Sequence, residues 1–184
     1  MIDKREIRRR IKNMRLVLTQ KEKMRAAESV FERLEKSAPF LMANHILLYH
    51  SLPDELYTHS FLKKWGNKKH FYLPRVNGVN LEILPYEQSR LELGSFHIEE
   101  PAGDDLVDPS ILELIVTPGV AFSRKGARLG RGKGYYDRLL AETKATKVGV
   151  AYHFQLLDEI PIEPHDIPVD IVITDEAVYI TSEQ

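Results

Sequence analysis

The stretch Gly126–Asp137 reads Gly-Ala-Arg-Leu-Gly-Arg-Gly-Lys-Gly-Tyr-Tyr-Asp. It gathers four of the chain's ten glycines, at 126, 130, 132 and 134, and interleaves them with Arg128, Arg131 and Lys133. Glycine lets backbone N–H groups approach a ligand and take up positive φ. Cations set between such glycines make a nest for an anion, most often a phosphate. A plain turn needs one or two glycines and no cations. The common phosphate loops do not fit. A Walker A window ending at Gly132-Lys133 starts at Ala127 and runs into Gly134, so it fails at both ends. A dinucleotide fingerprint from Gly130 meets Tyr135 where the last glycine belongs, and a kinase loop fails at the same residue.

The flanking elements have to hold this loop. Leu112–Thr117 (LELIVT) reads as a buried strand, followed by Pro118-Gly119 and then Val120–Phe122. Tyr135–Glu142 reads as a helix leaving the loop. Strand, Gly-rich loop and helix in that order is a phosphate-site layout. Asp137 falls in the first helical turn. There it either complements the helix dipole or holds Mg2+ on a phosphate. Tyr135 and Tyr136 are adjacent in the helix and point to different faces.

Elsewhere, helices and strands alternate. Asp3 and Glu6 stand at N-cap and N3 positions, and Thr19–Glu22 is a capping box that restarts the helix. Ile7, Ile11, Met14 and Leu18 form one apolar stripe, with Lys4, Arg8, Lys12 and Arg15 beside it. Met24, Ala27, Phe31 and Leu34 give the second helix its buried face, and Pro39 ends the pair. His45–His50 is a buried strand, and Ser51–Glu55 leaves its C-terminal end, where α/β sites collect. Tyr57–Gly66 is a helix, with Phe61 and Trp65 read as packing residues. Lys69–Val76 and Val79–Tyr86 are strands about an Asn-Gly turn, and Arg75 is a further anion candidate. Glu99–Pro109 reads as a surface loop. Lys147–Ala151, Ile171–Thr174 and Val178–Thr181 are strands. His153–Ile160 is a turn or short helix, and Pro161–Pro168 is a loop. The pattern predicts a single α/β domain over residues 1–184 with a mainly parallel sheet.

Composition narrows the function. The 184 residues contain no cysteine, which excludes disulfides, zinc-thiolate sites and thiol nucleophiles. No apolar run approaches the roughly 18 residues of a membrane span. The first ten residues, MIDKREIRRR, lack the apolar core of a signal peptide, so a cytoplasmic location is expected. The net charge of −1 hides an asymmetry. Residues 1–36 carry twelve Lys/Arg against six Asp/Glu, and the remainder is acidic. The basic segment suits an anionic ligand, a nucleic acid, contact with the acidic body, or a solvated helix face.

The segment from Pro118 to Leu139 resembles the signature of the 5-formyltetrahydrofolate cyclo-ligase (5,10-methenyltetrahydrofolate synthetase) family. The likeness extends to Lys4-x-x-x-Arg8, Ser-x-Pro-Asp-Glu at 51–55, Leu-Pro-Arg-Val at 73–76, and the His-Asp-x-Pro-x-Asp ending at Asp170. Ser123 departs from it, since the family usually has an acid there. The resemblance implies a three-layer, NagB/RpiA/CoA-transferase-like α/β fold with a mainly parallel central sheet flanked by helices. It implies ATP as co-substrate, Mg2+, and ring closure on 5-formyltetrahydrofolate. It would place Lys4, Arg5, Glu6, Ile7 and Arg8 on ATP. Arg128, Leu129, Gly130, Arg131, Gly132, Lys133, Gly134, Tyr135 and Tyr136 would wrap the phosphates. Arg131 to Tyr135, with His50 and Glu55, would border the folate, and Arg131 and Lys133 would stabilise phosphoryl transfer. Asp137 and Asp170 would hold Mg2+, with Asp166 and Asp175 competing for the second place. A monomer without nucleic-acid or membrane partners is expected. The competing class is a nucleic-acid-binding protein using the basic helix and Arg/Lys loop.

Overall fold

The computed structural model describes residues 2–93 and 99–181. Two capped helices open the chain, α1 (Lys4–Leu16) and α2 (Gln20–Glu35). Asp3 accepts the Glu6 N–H at 2.8 Å, and Thr19 and Glu22 form the reciprocal box. Pro39 does not simply end the pair. It sits in the first turn of a short helix α3 (Ala38–Met42), where its missing N–H costs nothing. The chain continues through β1 (His45–Leu47), α4 (His59–Trp65), β2 (His70–Asn77) and β3 (Asn80–Pro85). The segment expected to be a loop contains a strand. β4 (Leu91–Leu93) and β5 (Glu99–Pro101) pair antiparallel. Then come β6 (Leu114–Thr117), β7 (Ala121–Ser123), β8 (Arg128–Leu129), α5 (Tyr135–Ala141), β9 (Thr146–Ala151) and β10 (Leu156–Leu157), followed by β11 (Ile171–Thr174) and β12 (Val178–Ile180).

Among the described residues the main sheet has the order β12-β11-β9-β6-β1-β2-β3. Its centre is parallel, and β3 and β12 add antiparallel edges. Strand side chains alternate faces, and the core follows that period. Ile46, Leu48, Leu114, Val116, Val148 and Val150 share a cluster with Val30, Phe31 and Leu34 of α2 and with Phe61 and Leu62 of α4. Leu47 and Ile115 point the other way and meet Leu139 and Leu140 of α5. On that second side a small sheet, β10-β7-β8, packs through Phe122 against Ala151 and Val172. Its outer side is closed by Ile7 and Ile11 of α1. Phe61 and Trp65 pack as expected, Phe61 in the core and Trp65 edge-on to Phe40. Two assignments to apolar stripes fail. Met14 and Met24 are exposed, while Arg15 is buried in α1 and Val30 in α2.

Gly149 marks how closely the small sheet approaches. A Cβ there would stand 2.8 Å from two Phe122 ring carbons and nearer still to Cε1. Phe122 is fully buried and has nowhere to turn. Gly149→Ala is therefore expected to destabilise the fold by about 1–3 kcal/mol through overpacking. A lowered urea midpoint with unchanged slope will show it. An unchanged midpoint contradicts this account of the packing.

Candidate active site

Chain order reverses between β1 and β6. From β1 the chain builds outward to β2 and β3, and from β6 outward to β9, β11 and β12. A crevice outside the carboxyl ends of two such strands is where open α/β sheets bind ligands. A cavity of about 1010 Å3 lies there. Tyr49, His50, Leu52 and Glu55 line it after β1, and Pro118 and Gly119 after β6. The loop Gly130–Gly134 and the start of α5 form another wall, and Lys4, Arg8 and Arg15 reach in from α1. Glu163, Asp166 and Ile167 line it from the proline-punctuated loop.

The glycine-rich loop is shaped by backbone that only glycine adopts easily. Gly132 and Gly134 have φ of 109° and 71°. Arg8 clamps the loop by donating from Nε to the Gly130 carbonyl at 2.9 Å. Arg128 is buried beneath it, donating to the Pro118 carbonyl at 2.9 Å and lying 5.0 Å over the Tyr136 ring. Burial lowers the Arg128 pKa, against the pull of Asp137, and raises that of the Tyr136 hydroxyl. Arg128 is thus a pillar of the loop. Lys133, by contrast, is exposed, and its ammonium makes no hydrogen bond or ion pair with protein among the described residues. Arg131 pairs with Asp54 at 3.0 Å and lies 3.9 Å from Glu55. Ser123 replaces the acid expected there and accepts the Ala127 N–H at 3.1 Å, closing the turn before the loop.

The carboxylates separate into two groups. Glu55 faces the cavity with its pKa raised, chiefly by burial, although it accepts the Leu52 N–H at 2.9 Å. Asp137 lines the cavity and accepts the Ile167 N–H at 3.1 Å through one oxygen. Asp166, the residue before Ile167, lines it too and meets Lys4 Nζ at 3.0 Å. Burial works against the Lys4 charge, yet its bonds to Asp166 and Glu163 raise the pKa overall. Asp170 is elsewhere. It precedes β11, accepts the Lys147 N–H at 2.9 Å, and so sits at the opposite end of the sheet from the cavity. Asp175 is also outside, accepting the His153 N–H at 2.7 Å.

Helix geometry divides the α1 residues. With 3.6 residues per turn, Lys4 and Arg8 share a face and both reach the cavity. Arg5 and Glu6 do not line it. Glu6 is tied to Arg9 and Arg10, and Ile7 is core beneath the small sheet. Arg75 binds Glu82 and the Pro101 and Gly103 carbonyls, so it braces β5 and is not free for an anion. Arg15 and Asp54 were not singled out for the site by the sequence. The signal for Arg15 was its spacing of seven from Arg8, two turns along one face.

His50 stacks on His59 with ring centroids 3.7 Å apart, and its Nδ1 lies 3.6 Å from Glu99 of β5. Burial, His59 and Lys63 lower its pKa to about 4 against the opposing pull of Glu99. His59, which hydrogen-bonds the Ser51 carbonyl, is lowered too, mainly by burial. The unfolded chain takes up a proton at His50 near pH 6.5, while the folded chain resists until about 4. Between those values the unfolded state binds more protons, so stability is full above pH 6.5 and falls as pH drops toward 4. Thermal unfolding across pH 4–7 is expected to show this decline. His50→Leu should make the profile shallower, and an unchanged profile refutes the assignment.

The fold is α/β, with a cation-studded glycine loop lining a cavity at the switch point of its main sheet. The chain belongs to the 5-formyltetrahydrofolate cyclo-ligase family, whose model matches residues 1–175. It is similar to the 5-formyltetrahydrofolate cyclo-ligase of Escherichia coli K12, with 34% identity over 179 residues, 92% of this chain and 98% of that protein. The mouse cyclo-ligase is 27% identical, covering 95% of this chain and 94% of its own. Among solved structures, the Aquifex aeolicus 5,10-methenyltetrahydrofolate synthetase superposes with a TM-score of 0.88 at 35% identity, over 97% of this chain and 92% of that one. The Mycoplasma pneumoniae synthetase gives 0.78 at 25% identity, over 95% and 99%.

Proposed function

We propose that this chain is an ATP-dependent cyclo-ligase that converts 5-formyltetrahydrofolate to 5,10-methenyltetrahydrofolate, releasing ADP and phosphate. One observation carries the reading. A single cavity holds the cations of the Gly130–Gly134 loop, Lys4 and Arg8 of α1, and the inward-facing Glu55. The family match and the full-length relatives support the same activity.

The chemistry asks for positioning more than for a nucleophile. The formyl oxygen attacks the γ-phosphorus, and the bond from that phosphorus to the bridging oxygen of ADP breaks. The formyl carbon, now bearing a phosphate leaving group, is attacked by N10. Its C–O bond then breaks, phosphate departs, N10 gives up its proton, and the five-membered ring is closed. Charge builds on the transferring phosphoryl oxygens, and Lys133 and Arg131 offset it. Loop N–H groups and Arg8 orient the polyphosphate. Glu55 accepts from the amino and ring N–H donors of the pterin, which a carboxylate can meet with two parallel bonds. His50 forms part of the wall beside it.

Mg2+ commonly binds one or two carboxylates together with phosphate oxygens. Asp137 fits, because one of its oxygens is held by Ile167 and the other is left over. Asp166 fits as the second carboxylate better than Asp170, since it lines the same cavity. Bound there, the ion would neutralise charge on the phosphates. Among the described residues no group of three or more His, Asp or Glu is arranged to hold a metal ion by itself.

The reading includes a monomeric cytoplasmic enzyme. No helix among the described residues is long and apolar enough to cross a membrane. Nothing in the comparisons favours the nucleic-acid alternative. Growth of the methenyl product's absorbance, with and without ATP and Mg2+, tests the proposal. Product that depends on both supports it. No product from 5-formyltetrahydrofolate overturns it.

A further inference from the structure

We infer that Asp54 is a positioning residue for Arg131, setting its guanidinium between the folate side and the phosphate side of the cavity. The inference rests on the cyclo-ligase reading. Three elements meet at this carboxylate. Arg131 of the glycine loop donates one Nη to both Asp54 oxygens at 3.0 Å. Arg15 of α1 also approaches it, with Nη1 3.6 Å from an Asp54 oxygen. Asp54 itself lies on the loop after β1, next to the cavity-lining Glu55.

Arg15 anchors the arrangement. Its side chain is 8% exposed, and it donates to the Gly119 carbonyl at 2.8 Å. Its Nε is one of two buried side-chain atoms without a hydrogen-bond partner among the described residues. Burial opposes its charge, and Asp54 is the largest counterweight. A cation so held cannot swing, so Asp54 faces a fixed positive charge 3.6 Å away. Arg131 is different. It is 52% exposed, and Asp54 is 42% exposed. A pair that open adds little to stability. Its effect is orientation: one Nη is fixed, and the remaining N–H donors of a planar fork are left to face a ligand.

Orientation matters here because small displacements of a charge-stabilising group cost large factors in rate. Without Asp54, Arg131 would keep only its looser 3.9 Å approach to Glu55. The test is a double-mutant cycle on turnover, with Asp54→Asn, Arg131→Ala and both together. Asp54→Asn is expected to lower kcat about tenfold in the otherwise unaltered chain, and less than about twofold in the Arg131→Ala background. Equal losses in both backgrounds overturn the inference and leave the cyclo-ligase reading standing. An Arg131→Ala enzyme with full turnover overturns Arg131's catalytic role and this inference together. Tighter ATP binding with unchanged kcat in Asp54→Asn would mean that Asp54 restrains Arg131, which also overturns it. Asp54→Asn leaves Arg15 without its main counter-charge, so thermal unfolding is followed in parallel. If that variant does not fold, Asp54→Glu keeps the charge, shifts the carboxylate by one methylene, and enters the same cycle with the same criterion.

Discussion

Lys133→Ala is expected to reduce turnover by roughly two to three orders of magnitude while leaving Tm within about 1 °C of the unaltered protein. The two halves of that statement have separate causes. The stability half follows from the surroundings of the side chain. Lys133 is exposed and its ammonium has no protein partner among the described residues, so truncation breaks no hydrogen bond or ion pair. Surface substitutions of that kind stay within about 0.5 kcal/mol. The backbone of the loop does not depend on it either, being held by Arg8 at Gly130 and by Arg138 at the Lys133 carbonyl. The rate half follows from charge. A preorganised cation on a transferring phosphoryl group contributes several kcal/mol to the transition state, comparable to a lost oxyanion-hole donor. Steady-state turnover with 5-formyltetrahydrofolate and ATP, alongside a melting curve, measures both. If Tm falls in step with activity, the loop is structural. If activity survives, phosphate handling belongs to other cations.

That a lysine with no partner should matter so much illustrates which parts of the molecule the sequence discloses. Local rules were enough for most elements. The Thr19–Glu22 box formed as read, because capping is a contact between residues three apart. The strand β6 is buried throughout, as a continuous apolar run at the middle of a parallel sheet requires. The glycine loop could be read because its conformation is encoded at its own positions. Non-local pairings were not legible in the same way. β5 lies in a segment rich in acids and prolines, and it is a strand only because β4 and the Arg75 brace are there to meet it. Arg15 looked like one more member of a basic stripe. Its burial depends on Asp54 and the Gly119 carbonyl, more than thirty positions away in each case. Motif resemblance likewise assigned the whole run from Lys4 to Arg8 to one ligand. The 3.6-residue turn delivers only Lys4 and Arg8 to the cavity and sends Ile7 into the core.

The same distinction sets the second expectation, which concerns the carboxylates. Asp137→Asn and Asp166→Asn are each expected to lower turnover about a hundredfold or more at low Mg2+ and to raise the Mg2+ concentration for half-maximal rate. Asp170→Asn is expected to leave both within about twofold. The contrast follows from topology. In a parallel sheet the ligand end lies beyond the carboxyl ends of the strands. Asp170 stands before β11, where it accepts the Lys147 N–H on the neighbouring strand. Asp137 and Asp166 stand at the other end, joined through the Ile167 N–H that Asp137 accepts. Asparagine keeps an oxygen able to accept that N–H, so Asp137→Asn should fold normally and lose only charge. The Asp166 carboxylate accepts the Glu163 N–H at 2.8 Å and the 3.0 Å bond from Lys4. Removing its charge leaves Lys4 paired with Glu163 alone as well as weakening ion binding, so its ATP KM is expected to change more than that of Asp137→Asn. Activity lost in Asp170→Asn with full activity in Asp166→Asn would reverse the assignment. If neither Asp137→Asn nor Asp166→Asn changes the Mg2+ dependence, the ion reaches the site on the nucleotide without help from these carboxylates, and Asp137 keeps only its hydrogen bond to Ile167.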